Sequence, residues 1–254
     1  MEEEGHGGAG NKAMEIAGLL VQDDLALMIE GNDGRYYFQA GSICVPGFWR
    51  MQDKLGMPLD DIHLSGNVPQ YKERLQPSLD RFFRKLSVDK PVTRINYFVQ
   101  TRRRDGEHEA TTGDDEMDPD ELGWATSSLG DEDDFENGTH ATAKPKNGVD
   151  RDTPVNWMRL RCERQTLRRL PVSGAVLFTI RVYINPMVEL VQEKGVPGRM
   201  ASALRSWPMD VAAYKGKNRG GWWEPLLRFL DAEHEAQEME GSEGVGTMRD
   251  GSKM

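Results

Sequence analysis

The sequence predicts an α+β domain: an antiparallel sheet flanked by helices, with one long acidic insertion in a strand–strand loop. Three observations predict it. Two runs with strand-like alternation, "PVTRINYFVQT" and "VNWMRLRCER", stand on either side of a polar segment and are expected to pair as a hairpin. The composition collapses between them, with no sustained periodicity over residues 102–152. Apolar residues at helical spacing occur before and after the pair.

At 254 residues the chain could form one large domain or two small ones. A hydrophobic fraction of 37% and a mean hydropathy of −0.65 are low for a compact enzyme, but they average over the polar segment. Residues 105–150 hold fifteen Asp and Glu against two Lys, thirteen negative charges net, while the whole chain carries −10. The remainder is therefore positive by three, and the protein is a near-neutral domain with an acidic insert.

Cys44 and Cys162 are the only cysteines, which excludes a cysteine-rich scaffold and a four-cysteine zinc or iron–sulfur site within one chain. Two unrelated buried thiols in a reducing compartment are preferred over a single disulfide. The start, "MEEEGHGGAGNK", is acidic and glycine-rich without the pattern of a secretory signal, and no run approaches about 18 apolar residues. A soluble cytoplasmic chain is expected.

Taken in order, residues 1–12 read as a disordered tail. Residues 13–31 carry apolar positions 16, 19, 20, 25, 27 and 28, a helical spacing closed by Gly31. "NDG" is a turn, and "RYYFQAGSICVP" reads as two short strands around Gly41. "GFWRMQDKLG" suggests a short helix ended by Gly56, and "VPQYKERLQPSLDRFFRKLSV" an amphipathic helix, or two broken at Pro77. After the insert, "QTLRRLP" reads as a turn, "GAVLFTIRVYI" as a buried strand, and "GRMASALRSWP" and "WWEPLLRFLDAEHEAQ" as helices. One domain over 13–101 and 153–236 is expected, with residues 237–254 as a disordered tail.

The stretch "RCERQTLRRLP" sets four arginines directly ahead of an apolar run. Alternation places Trp157, Arg159, Arg161 and Glu163 on one strand face and Met158, Leu160, Cys162 and Arg164 on the other. One face is apolar and packs into a core. The other is a ladder of charge, whose simplest reading is a solvated face with weak local ion pairs. Gln165, Arg168 and Arg169 crowd the following turn, and arginine forks suit carboxylates or phosphates, so a ligand with two acidic groups would also explain the cluster.

"RCERQTLRRLPVSGAVLFTIRVYINP" resembles the signature of the haem-dependent oxidative N-demethylases, whose type activity is dimethylamine monooxygenase and which include fungal-type relatives without an assigned activity. "VQDDLALM", "GSICVPGFWRMQDKLGMPLDDIH", "VPQYKERLQPSLDRFF" and "VTRINYFVQ" fall in the order that family shows, so the resemblance covers roughly residues 20–101 and 153–230. It implies a PAS-like domain holding haem b and oxidising the N-methyl group of a small amine with O2, giving the demethylated amine and formaldehyde. It also implies electrons from a separate flavin and iron–sulfur reductase, in keeping with a chain that has no cysteine set for its own cluster and no "GxGxxG" loop.

Under that resemblance His63 is the candidate iron ligand. His6, His108 and His140 fall in segments expected to be disordered, and His234 in a charged terminal helix. A lone histidine capping a loop is the competing reading. Arg94, Arg161, Arg164, Arg168 and Arg169 are candidates for the haem propionates. Alternation turns Arg161 and Arg164 to opposite faces, so two of the five are expected to serve. Glu163 and Gln165 are the candidate catalytic pair, either contacting a cationic amine or orienting the arginines. A Cys44 thiolate ligand is disfavoured because "SICVPGFW" is apolar and lacks cations, which raises a thiol pKa. The reading from another class is a non-catalytic haem- or small-molecule-binding PAS sensor or carrier, which the charged insert would suit. Neither a nucleic-acid nor a membrane partner is expected; a homo-oligomer is compatible with the sequence.

Overall fold

The computed structural model describes residues 7–47, 49–101, 152–218 and 221–246, with side chains from 12 to 241 within those spans. Five strands form one antiparallel sheet: β1 (Asp24–Glu30), β2 (Tyr36–Ser42), β3 (Val92–Thr101), β4 (Met158–Arg169) and β5 (Val176–Pro186), in the spatial order β2-β1-β5-β4-β3. Helix α1 (Gly7–Leu20) precedes them. Between β2 and β3 lie α2 (Met51–Lys54), α3 (Leu59–Ser65), a π-helical turn (Tyr71–Leu75) and α4 (Gln76–Lys85). After β5 come α5 (Met187–Leu190), α6 (Val196–Arg205), α7 (Met209–Tyr214) and α8 (Trp223–Gly246). The chain is thus α+β with a PAS-like antiparallel sheet flanked by helices. No described helix is long and apolar enough to cross a membrane.

The expected hairpin across the insert is present. β3 and β4 pair antiparallel from Val92↔Leu167 to Thr101↔Met158. Residues 102–151 lie outside the described residues, and Asp152, the first one after them, pairs with Arg228 at 2.8 Å.

Register assigns the two faces of the sheet. Directly opposed residues share a face, so Ala26, Phe178, Leu167 and Val92 lie together on the inner face, as do Asp24, Ile180, Gln165 and Arg94. Helices α3 and α4 cover one half of it: Leu59, Ile62, Leu79, Phe82, Phe83 and Leu86 pack with Ala26, Met28, Phe38, Leu167 and Val176. Of the helix residues, Phe83 and Leu86 are buried, each contributing about 1.5–3 kcal/mol, while Leu59, Ile62, Leu79 and Phe82 are partly buried and contribute less. The outer face is covered only towards one end, where Val99 and Met158 pack with Met187, Leu204, Trp222, Leu226 and Leu230.

Several elements differ from the sequence expectation. The helix over residues 13–31 is instead α1 from Gly7 followed by strand β1, so residues 7–12 are helical and only 1–6 of the expected tail lie outside the described residues. "DLALMIE" fits either period over so short a run, and ladders to β2 and β5 on both sides decide for strand. Gly41 lies within a single strand rather than between two, because the ladder to β1 runs on through Gly41 and Ser42; a Cβ at 41 would meet the Phe38 ring at 2.8 Å and the Leu25 carbonyl at 3.0 Å. "QTLRR" continues β4, and the turn comes later, at Leu170–Ala175, with Gly174 at φ +70. Helix α8 runs on to Gly246, through half of the segment expected to be tail; residues 247–254 lie outside the described residues. Both cysteines are free, but Cys44 is exposed rather than buried.

Candidate functional site

The largest departure from the sequence expectation is the fate of the charged ladder. It is not a solvated face: Arg161 has no exposed surface at all and Glu163 keeps 12% of its side chain exposed. The odd-numbered residues of β4 turn inward and the even-numbered ones outward, where Met158 and Leu160 pack against the helices after β5 and only Arg164 and Arg168 are exposed.

On the inner face, three N–H groups converge on the Glu163 carboxylate. Arg161 Nε donates to Oε1 at 3.1 Å, and Gln165 Nε2 and Asn96 Nδ2 donate to Oε2 at 2.9 and 3.2 Å. Gln165 is oriented in turn by Arg94, whose Nε donates to Gln165 Oε1 at 2.6 Å. A carboxylate offers about four lone-pair sites, so three donors leave room for one more. Burial works against the charge on Arg161, and Glu163 opposes that effect.

Arg161 spends its remaining nitrogens on the protein. Nη2 donates to the Val45 carbonyl at 2.5 Å and Nη1 approaches Gln100 Oε1 at 3.5 Å. Asp24, also on the inner face, accepts from the Cys44 and Val45 amides at 2.7 and 3.1 Å. Burial pushes the Asp24 carboxyl up, while those two amides and Arg161 pull the other way. Asp24 and Arg161 together pin residues 44–45 across the sheet. Arg94 is different: it is exposed, and among the described residues only its Nε is hydrogen-bonded, which leaves its two terminal nitrogens to offer.

His63 stands on α3, which packs on this same face through Leu59 and Ile62. Its Nδ1 lies 2.6 Å from the Leu59 carbonyl. A carbonyl can only accept, so Nδ1 carries the proton and Nε2 presents a lone pair. The ring stacks on Tyr71, with centroids 4.6 Å apart and 6° between planes. Burial lowers its pKa, the Leu59 bond opposes, and the Arg94 charge adds to the lowering. The result is a neutral, oriented imidazole, the form that binds a metal.

The other predicted residues go elsewhere. Arg164 and Arg168 are exposed on the outer face, away from Glu163. Arg169 faces inward but caps α4: it donates to the carbonyls of Leu86, Phe83 and Gly174 at 2.7, 2.5 and 2.7 Å and to the Tyr36 hydroxyl at 2.9 Å. Of the five arginines, Arg94 and Arg161 reach the site.

A family model for haem-dependent oxidative N-demethylase, alpha subunit-like, matches residues 3–227. The chain belongs to this family. As a haem-dependent oxidative N-demethylase alpha subunit-like protein it carries, in the family name, haem dependence, oxidative demethylation at nitrogen and a place beside another component. The donor set fits a haem. A neutral imidazole with a bare Nε2 suits ferric or ferrous iron, and Arg94 has free donors for a carboxylate. Among the described residues no cluster of three His, Cys, Asp or Glu is placed to hold a metal ion.

Sequence reasoning missed Asp24, Asn96, Gln100 and Lys215, whose Nζ donates to Asn96 Oδ1 at 3.2 Å. Asn96 and Gln100 share the inner-face parity of Arg94 on β3, a signal that the alternation of this strand carries. Asp24 was hidden by reading its strand as helix. Lys215 comes from a turn beyond α7 and left no local signal.

Proposed function

We propose that this chain is the haem b-binding subunit of a monooxygenase that demethylates a small secondary or tertiary amine resembling dimethylamine. The overall change takes one N-methyl amine, one O2, two electrons and two protons to one formaldehyde, one water and the amine with hydrogen in place of its methyl group. The electrons come from a separate flavin and iron–sulfur reductase, in a reducing cytoplasmic setting that suits two free cysteines.

The single observation that carries the reading is the pairing, on one sheet face, of a bare imidazole nitrogen with a largely covered carboxylate that has one acceptor site left. His63 would hold the iron through Nε2, and Arg94 would bind a propionate through its terminal nitrogens. Haem supplies the activation of oxygen when bound. Glu163 has one lone-pair direction left for the N–H of a cationic amine, and its shielding from water strengthens that contact over its value in bulk solvent. Gln165 fixes which oxygen faces the amine, while Arg161 holds the carboxylate from behind. The residues thus bind and orient the amine and keep its charge matched.

The test is a visible spectrum of purified protein with and without dithionite and carbon monoxide, followed by formaldehyde release from dimethylamine with a surrogate reductant. A Soret band and formaldehyde are expected in the wild type, and His63→Ala should lose or strongly shift the band. An unchanged band in His63→Ala would remove His63 from the iron. Haem without formaldehyde would leave the sensor or carrier reading in its place.

A further inference from the structure

Strand β3 is an edge of the sheet, and one lysine reaches around that edge. Lys215 follows α7 and lies against the rings of Tyr97 and Trp207, 4.9 Å from each centroid. By register Tyr97 belongs to the outer face and Asn96 to the inner one. The Lys215 ammonium donates to the Tyr97 carbonyl at 2.5 Å and to Asn96 Oδ1 at 3.2 Å. Asn96 then donates from Nδ2 to Glu163 Oε2 at 3.2 Å. The chain of hydrogen bonds is polarised throughout, from a cation outside the sheet edge to a carboxylate inside it.

An asparagine amide turned by 180° would point its oxygen at Glu163 and its amide protons at the lysine, two mismatched contacts at once. An ammonium has donors and no acceptor, so a charged Lys215 admits one Asn96 orientation alone. We propose that Lys215 is a positioning residue for Glu163, acting through Asn96 from the outer side of the sheet edge. The proposal rests on Glu163 as the group that contacts the amine.

Burial lowers the Lys215 pKa to about 8, with Glu163 and Cys162 opposing the fall. The groups that face it are those two on β4, Tyr97 on β3 and Trp207 after α6; the Cys162 thiol is itself pushed up by burial. Below about 8 Lys215 is charged and the relay is locked. Above it the amine is neutral, keeps two N–H donors and gains an acceptor lone pair, so it no longer restricts Asn96 to one orientation.

Two readouts test the proposal on the full chain. In 15N-labelled protein the Asn96 side-chain amide, assigned by its absence in Asn96→Asp, should shift with a midpoint near pH 8. The shift should vanish in Lys215→Met, persist in Cys162→Ser, and hold at its low-pH position through pH 9 in Lys215→Arg. In turnover, KM for dimethylamine should rise about tenfold above pH 8, as expected for loss of one charge-assisted contact. Lys215→Met should show the raised value at every pH, and Lys215→Arg should restore the low one. An Asn96 amide that does not titrate in the wild type, or that titrates equally in Lys215→Met, overturns the relay. The amide readout needs no turnover, so an absent Soret band with a titrating Asn96 would fail the haem reading and leave the relay standing.

Discussion

Arg168 and Arg169 are adjacent residues of one type on one strand, and they have opposite fates. Arg168 lies exposed on the outer face, across from Leu177. Arg169 is drawn inward and makes four bonds, to the Leu86 and Phe83 carbonyls at the end of α4, to the Gly174 carbonyl in the following turn and to the Tyr36 hydroxyl on β2. The same division repeats a few residues earlier, where exposed Arg164 lies between buried Gln165 and largely covered Glu163. A buried cation is tolerated only where each donor meets an acceptor, so the inner face of β4 around Arg161 and Arg169 is tightly bonded and the outer face at Arg164 and Arg168 is permissive. Charge density in the sequence therefore does not say what a charge does; the parity of its position does.

The comparison breaks most visibly at Arg161. Arg161→Met removes bonds to Glu163, Val45 and Gln100 and leaves a largely covered carboxylate short of its cation. Urea unfolding should register a loss of about 3–5 kcal/mol, the range for stripping one partner from a buried pair. A loss under about 1 kcal/mol, the range of an exposed pair, would mean that Glu163 relaxes to water and that the inner face is not closed.

Next in size is Asp24, the other end of the strap. Asp24→Ala leaves the Cys44 and Val45 amides without their acceptor. At roughly 1–3 kcal/mol for each unsatisfied group, less whatever water recovers, the cost should be about 2–4 kcal/mol in the same assay. The mobility of residues 44–45 should rise with it, read as faster amide exchange at Cys44 and Val45 than in the wild type. Unchanged exchange there would show that Arg161 holds the segment without help.

Much of this division was readable in the sequence. The pairing of "RINYFVQT" with "NWMRLRCER" across the insert and the two faces of β4 follow from periodicity and composition. What could not be read was which face would be covered. That depends on α3 and α4 packing Ile62, Leu79 and Phe83 against the inner side, a tertiary fact that strand alternation does not contain. The same limit explains β1, where "DLALMIE" suited two periods and the neighbouring ladders decided. It also explains Lys215, which enters the site from a turn about fifty residues beyond Glu163.

The outer face supplies the smallest and sharpest prediction. Arg164 pairs across strands with Arg181, which stacks over Tyr183 at 5.6 Å, and Arg168 opposes Leu177. Arg164→Leu and Arg168→Leu remove no buried bond, and Arg164→Leu separates two like charges set directly opposite. Each should change stability by no more than about 0.5 kcal/mol, with Arg164→Leu the more favourable of the two. Both should leave the Soret band and haem retention unchanged, whereas Arg94→Leu should weaken retention because its terminal nitrogens are the open donors on the inner face. Haem loss in Arg168→Leu with retention in Arg94→Leu would place the cofactor on the outer side of the sheet, and the parity that assigns the site would then be reversed.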